Sequence, residues 1–329
     1  MLAKAVDGSN KKDPNFPQGL YIHPSQNSIS LVSSFDTLLL QTFGPEAQEQ
    51  AIREYGIAGR VWEAAYAMIA FISSPLGLEF DPPFLAAKST NAERHIILEL
   101  GSGSGLIASV VSKVLNIQHD RMIATDLPEV CQLLESNLQT LLPDKQRGNQ
   151  ATKFSIVRVF PLPWGDDLAM GKLATTFFDS RSLDYNGSLT HIICSDLVYF
   201  PELLAPLLRS LIKLTSPPFN NNNTVVVYIS YKIRSLVKET PFWSAFGLWF
   251  HFQPVLFKRR SEVEGDDWER FGQDSDDTTY LFVAARRHGS FKWKIPKADD
   301  ELLGGVGAQN NNSRKGDDTF ENLLLMSMG

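Results

Sequence analysis

The stretch Glu99-Leu-Gly-Ser-Gly-Ser-Gly105 joins two apolar runs, Ile96–Leu98 before it and Leu106–Val111 after it. Gly101, Gly103 and Gly105 carry no Cβ, so the backbone of this turn lets a ligand approach more closely than other residues would permit. Glu99 stands at the tip of the run that enters the turn. A second apolar run ends in Thr125-Asp126, 25 residues after Gly101. An acid at such a strand end can accept hydrogen bonds from both hydroxyls of a ribose. A third run, His191–Cys194, leads into Ser195-Asp196-Leu-Val-Tyr199, with an acid and a phenol three residues apart.

The spacing distinguishes this turn from related ones. A dinucleotide fingerprint, G-x-G-x-x-G, would need its third glycine at position 106, which is Leu106. The GK[ST] of a phosphate-binding loop is also missing. The turn therefore suits a nucleoside-like ligand and has no evident device for a pyrophosphate. The two cysteines, Cys131 and Cys194, lie in apolar contexts, without a CxxC or a Cys/His cluster. We expect buried, reduced thiols and no metal site.

The elements that must hold these residues alternate between strand and helix. Strands are predicted at 96–100, 121–125, 154–160, 191–195 and 224–230, and helices at 45–55, 60–73, 106–115, 128–141 and within 203–214, where Pro206 predicts a late start. "FQPVLFKR" and "TTYLFVAARR" read as a closing antiparallel pair. Nearly continuous apolar strands alternating with helices imply a parallel sheet covered on both faces. The predicted fold is α/β: a doubly wound, mostly parallel, seven-stranded Rossmann-like sheet with helices on both faces and a C-terminal antiparallel pair. In such a sheet the first strand–helix turn opens at the carboxyl ends of the strands, where ligands bind.

Further stretches carry a resemblance. "GRVWEAA" at 59–65, "DLPEVCQLLESNL" at 126–138, "LPWGDD" at 162–167 and "SDLVYFPE" at 195–202, with the glycine turn, resemble the class I S-adenosylmethionine-dependent protein-lysine methyltransferases of methyltransferase family 16. The likeness spans about residues 56–285. It implies S-adenosylmethionine as cofactor and a lysine of a non-histone protein, of translation-factor or chaperone type, as methyl acceptor. By it, Trp62 would close over the methionine end of the cofactor. Gly101, Ser102 and Gly103 would line the turn beside Glu99, and Asp126 would hold the ribose. Trp164 would lie against adenine, and Ser195 would contact the cofactor through its backbone. Asp196 and Tyr199 would orient the acceptor amine, neither being assigned as an obligate base. Ser195 stands where the family more often has alanine, the 261–277 insert is long and acidic, and residues 1–40 match no part of the pattern.

Other readings stay open. A small-molecule amine could be the acceptor, or the fold could serve as a catalytically silent binding protein. "DPPF" at 81–84 resembles a motif that grips an exocyclic base amine, but it precedes the first predicted sheet strand, and a net charge of −6 gives no footprint for nucleic acid. The insert, "SEVEGDDWERFGQDSDD", carries eight acids against Arg270 alone, either a solvated loop or a means of steering a basic substrate. "PFWSAFGLWFHF" at 241–252 fits a pocket wall or a core helix equally well. No signal-peptide core and no apolar run of membrane length occur. We expect a monomeric, cytoplasmic protein that also suits the nucleus, binding neither membrane nor nucleic acid. Residues 1–40 are expected to be a partly disordered extension, 41–290 the methyltransferase domain, and 291–329 a mostly disordered tail in which "FENLLLMSMG" could form a docking helix.

Overall fold

The computed structural model describes residues 15–17, 19–25, 37–75, 77–85, 94–141, 156–179, 187–220, 224–259, 268–271 and 279–326. In chain order these form α1 (Thr37–Phe43), α2 (Pro45–Tyr55), α3 (Glu63–Ser73), β1 (Leu78–Asp81), β2 (Ile96–Leu100), α4 (Leu106–Val114), β3 (Arg121–Asp126), α5 (Pro128–Leu141), β4 (Val157–Pro161), α6 (Asp167–Phe177), β5 (His191–Ser195), α7 (Pro201–Leu214), β6 (Val226–Lys232), α8 (Leu236–Trp249), β7 (Phe250–Pro254), β8 (Leu256–Arg259), β9 (Glu269–Arg270), β10 (Thr279–Arg286), α9 (Asp299–Leu303) and α10 (Thr319–Met326).

The main sheet has seven strands in the order β4-β3-β2-β5-β6-β10-β7, and β10 runs antiparallel to both of its neighbours. The other pairings are parallel. Successive strand residues point to opposite faces, and both faces are covered, which is why the strands read as unbroken apolar runs. Ile97, Ile193, Met122 and Tyr228 pack into the layer that holds α3, α4 and α5. Leu98, Ile192, Ile123 and Ile229 pack into the layer that holds α6, α7 and α8. The chain leaves β2 for β3 on one side and reaches β5 on the other, so the crevice of the fold opens beyond the carboxyl ends of β2, β3 and β5.

Local chemistry sets several boundaries. Asp166 caps α6 by accepting hydrogen bonds from the amides of Leu168 (2.8 Å) and Ala169 (2.9 Å). Pro201 opens α7, where its missing N–H costs nothing. Pro206 lies inside that helix and does not delay its start as expected. The apolar stripe from Leu204 to Leu214 outweighs the lost bond, and Pro206 supplies the surface that meets Gly165.

Two further expectations change. The 252–259 run is not one strand: β7 pairs with β10, whereas β8 joins a small antiparallel sheet, β1-β8-β9. The switch falls at Val255, fully buried, whose amide still bonds to Leu281 O (2.8 Å). Residues 291–326 are not a disordered tail. They carry α9 and α10, and Phe320 is buried, stacked on Trp243 at 4.8 Å. Phe242, Trp243, Phe246 and Trp249 of α8 are all core residues, so the aromatic run is packing and not a pocket wall. Phe84 of the "DPPF" stretch is likewise buried, packed against Phe71. Residues 1–14, 145–152 and 221–223, and the acidic positions 262–267 and 274–277, lie outside the described residues.

Candidate active site

The carboxyl ends of β2, β3, β5 and β6 lie side by side and frame a cavity of about 560 Å³. That is a volume typical of small-molecule sites. All ten residues singled out in the sequence line it: Trp62, Glu99, Gly101, Ser102, Gly103, Asp126, Trp164, Ser195, Asp196 and Tyr199.

The glycine turn forms one wall. Gly101 and Gly103 adopt φ of +60° and +52°, conformations that a side chain strains. A Cβ on Gly101 would fall 2.7 Å from Leu197 and 3.1 Å from the Trp164 ring. The turn is tied to β3 on both sides. Ser102 N donates to Thr125 O (2.9 Å), and Thr125 N donates to Ser102 Oγ (3.2 Å). Asp126 Oδ2 accepts from Gly103 N (2.7 Å) and Oδ1 from Leu127 N (2.7 Å). Each carboxylate oxygen keeps capacity for a further donor, since an ionised carboxylate offers about four lone-pair sites. Burial pushes the Asp126 carboxyl up to about 6, against the pull of the Gly103 and Leu127 amides.

Glu99 is buried at the floor of the same wall, and its Oε2 has no hydrogen-bond partner among the described residues. Burial pushes its carboxyl up to about 8. A buried carboxyl oxygen left without a partner costs free energy, so a donor or a cation entering this cavity would be stabilised there.

Two tryptophans stand at other faces of the cavity. Trp164 meets Tyr199 edge to face at 6.3 Å, and Tyr199 packs on Phe200 at 4.7 Å. Burial, with Asp126 and Glu202 nearby, raises the Tyr199 phenol above its ordinary range. Trp62 is anchored by its Nε1, which donates to Ile57 O (3.0 Å). The Arg60 and Arg234 guanidiniums lie 4.7 and 5.1 Å from its ring centre. Ser195 Oγ accepts from Ser230 Oγ (2.9 Å) across the β5–β6 pair.

Asp196 sits just past β5 with φ of +60°. Its side chain is 1% exposed. It binds Arg234 through both oxygens, at 2.6 and 2.7 Å. It also accepts from Lys232 N (3.2 Å) and from Ala64 N (3.3 Å), a free amide in the first turn of α3. Glu63 lies 3.4 Å from Arg234 and also pairs with Arg60. Burial works against the Glu63 charge, but its own amide and the Arg60, Lys232 and Arg234 cations hold its carboxyl below the usual range. Glu239, fully buried, accepts from Tyr231 Oη and from the Arg234 and Ser235 amides.

Sequence reasoning missed Arg234, Glu63, Glu239, Arg60, Asn15 and Leu20, which also border the cavity or its ion pairs. Arg234 was findable in principle. It stands two residues beyond a buried strand, at the edge where the other strands present their polar residues. Asn15 and Leu20 had no such signal, because nothing local ties a polar N-terminal stretch to a distant wall. Here Asn15 O accepts from Ile57 N (2.9 Å), and Asn15 Nδ2 reaches Glu129 (3.4 Å).

A family model described as lysine methyltransferase matches residues 46–246. Among solved structures, the chain is similar to the CurJ carbon methyltransferase at 15% identity and a TM-score of 0.36, over 60% of this chain and 50% of that one, so it spans about half that protein's length. It is similar to a precorrin-6y C5,15-methyltransferase from Geobacter metallireducens GS-15 at 12% identity and a TM-score of 0.32, over 59% and 81% of the two chains. It is also similar to an O-methyltransferase from Bacillus cereus in complex with SAH, at 10% identity and a TM-score of 0.40, over 78% and 94%.

Proposed function

This chain belongs to the lysine methyltransferase family, and we propose that it transfers the methyl group of S-adenosylmethionine to a lysine side-chain amine of a non-histone protein. The observation that carries this reading is the wall made by the glycine turn, Asp126 and Glu99. It offers a carboxylate already held by two amides beside a backbone that permits close approach. Next to it lies a buried carboxyl whose Oε2 has no hydrogen-bond partner among the described residues. That acceptor set fits the two hydroxyls of a ribose and a cationic amino-acid end.

When bound, the cofactor supplies a methyl group on a positively charged sulfur, so the acceptor must present a neutral nitrogen lone pair. Asp126 would hold the ribose, Glu99 would face the cationic amino-acid end, and Gly101, Ser102 and Gly103 would press against it. Trp164 would cover the adenine and Trp62 the methionine end, with Ser195 adding a backbone contact. Stacking of a base on an aromatic ring is worth about 1–3 kcal/mol.

The acceptor needs more than a cavity. A free lysine titrates near 10.4, so under about 0.1% is neutral at pH 7. Aromatic surfaces of Trp62, Trp164, Tyr199 and Phe200 around the site exclude water and favour the neutral amine. Tyr199 and Asp196 receive the amine hydrogens and aim the lone pair, which converts an encounter into an aligned displacement. The displaced proton leaves to solvent.

The experiment is direct. The purified protein is incubated with methyl-labelled S-adenosylmethionine and a lysate, and the products are resolved by mass. Label on lysines of particular proteins is expected. Label confined to a low-molecular-mass filtrate would make a small amine the acceptor, and no label in any fraction would contradict the enzymatic reading.

A further inference from the structure

Asp196 has no acceptor position left. Its oxygens receive two hydrogen bonds from Arg234, one from Lys232 N and one from Ala64 N. Those four fill the lone-pair sites of an ionised carboxylate. The backbone donors are fixed by β6 and α3, so Arg234 is the partner that can leave. It is also the outermost: its side chain is 28% exposed, against 1% for Asp196. Any amine that reaches Asp196 from the cavity must take the place of this guanidinium.

We propose that Arg234 is a built-in occupant of the acceptor site, a cation seated on Asp196 that the incoming lysine displaces. The proposal rests on the lysine-methylating function proposed above. Exchange of one cation for another keeps the buried carboxylate paired throughout, which avoids the large cost of leaving it alone. Partners that would keep hold of the guanidinium already touch it in this position. Arg234 Nη2 lies 3.4 Å from Glu63 Oε2, and the guanidinium sits 5.1 Å from the Trp62 ring centre. Released from Asp196 but kept by Glu63 and Trp62, it remains a positive charge close to the new amine and favours that amine's neutral form. The arrangement selects for side chains that enter as cations. A hydroxyl or an acylated lysine brings no charge to exchange and leaves Arg234 in place. Arg234 is thus a specificity-determining residue of the acceptor site and not a fixed strut.

The test uses n-butylammonium as the lysine side-chain probe and n-butanol as its neutral counterpart. Each is titrated, at matched ionic strength, into the full-length protein saturated with S-adenosylhomocysteine. The guanidinium resonances of Arg234 are followed by nitrogen-15 NMR and identified by their loss in Arg234→Lys. Butylammonium should shift these resonances and n-butanol should not. Arg234→Gln should bind butylammonium at least ten-fold more tightly than the wild type, with S-adenosylhomocysteine affinity within two-fold. Since Arg234→Gln leaves a buried carboxylate unpaired, the double variant Arg234→Gln/Asp196→Asn guards against misfolding and should lose butylammonium binding. If Arg234→Gln does not fold, the wild-type resonances decide. Resonances unmoved by butylammonium, or moved equally by n-butanol, would overturn the proposal. So would an Arg234→Gln variant that folds and binds the amine no more tightly. Failure of S-adenosylhomocysteine to bind would instead overturn the function on which the proposal stands.

Discussion

Glu99 shows how one buried side chain ties the site to pH. Its carboxyl is raised to about 8 by burial, whereas in the unfolded chain it titrates at its ordinary 4.5. Between those two values the folded state holds a proton that the unfolded state does not, so stability falls as pH rises and levels off above about 8. Asp126, raised to about 6, contributes in the same sense but only below that value. Buried His191, held well below its ordinary 6.5, contributes in the opposite sense up to about pH 7. Comparison with Glu99→Gln, in which His191 is unchanged, therefore isolates Glu99 over the window from pH 6 to 8. The unliganded wild type should lose stability relative to Glu99→Gln across it, by up to about 1.4 kcal/mol per pH unit. Denaturant unfolding at several pH values reads this, and parallel curves for the two proteins would contradict it. The same protonation implies that a cationic ligand seated beside Glu99 expels a proton.

Elements explain which parts of the site could be read from the chain. The glycine turn, Asp126 and Asp196 were legible because each follows an apolar run whose strand character is plain, and parallel strands bring such ends together. Helix α5 was read to the residue because Pro128 opens it and its apolar spacing persists to Leu141. The antiparallel pairing of β10 was read correctly, but the break at Val255 was not, since a change of sheet leaves no mark in an apolar–polar pattern. The C-terminal stretch looked disordered because its composition is polar and glycine-rich. Its order comes from long-range contacts, among them Phe320 against Trp243, Trp293 against Trp249 and Arg209 with Asp299. Phe320→Ala should cost about 3–5 kcal/mol and lower the melting temperature by roughly 10 °C. An unchanged melt would mean that α10 adds nothing to the core. The N-terminal stretch makes the opposite kind of contribution. Asn15 and Leu20 border the cavity, so deletion of residues 1–25 should raise the dissociation constant for S-adenosylmethionine several-fold while the core still melts cooperatively. Calorimetry of the shortened chain checks this, and unaltered affinity would remove that stretch from the cofactor site.

At the scale of the molecule, one sheet positions everything. Seven strands set four carboxyl ends around a crevice, and the family match over residues 46–246 covers those four strands and the glycine turn. The chain carries 31 basic against 37 acidic side chains, a net charge of −6. Among the described residues no helix is long and apolar enough to cross a membrane. The central claim is that this crevice holds S-adenosylmethionine, with its ribose on Asp126. Calorimetric titration of the cofactor into the wild type and Asp126→Ala tests it most directly. Two hydrogen bonds to a charged acceptor are worth about 1.5–3 kcal/mol each, so the account predicts binding that weakens at least ten-fold, and up to loss of detection, in the variant. Equal affinity in both proteins, or none in the wild type, would contradict it.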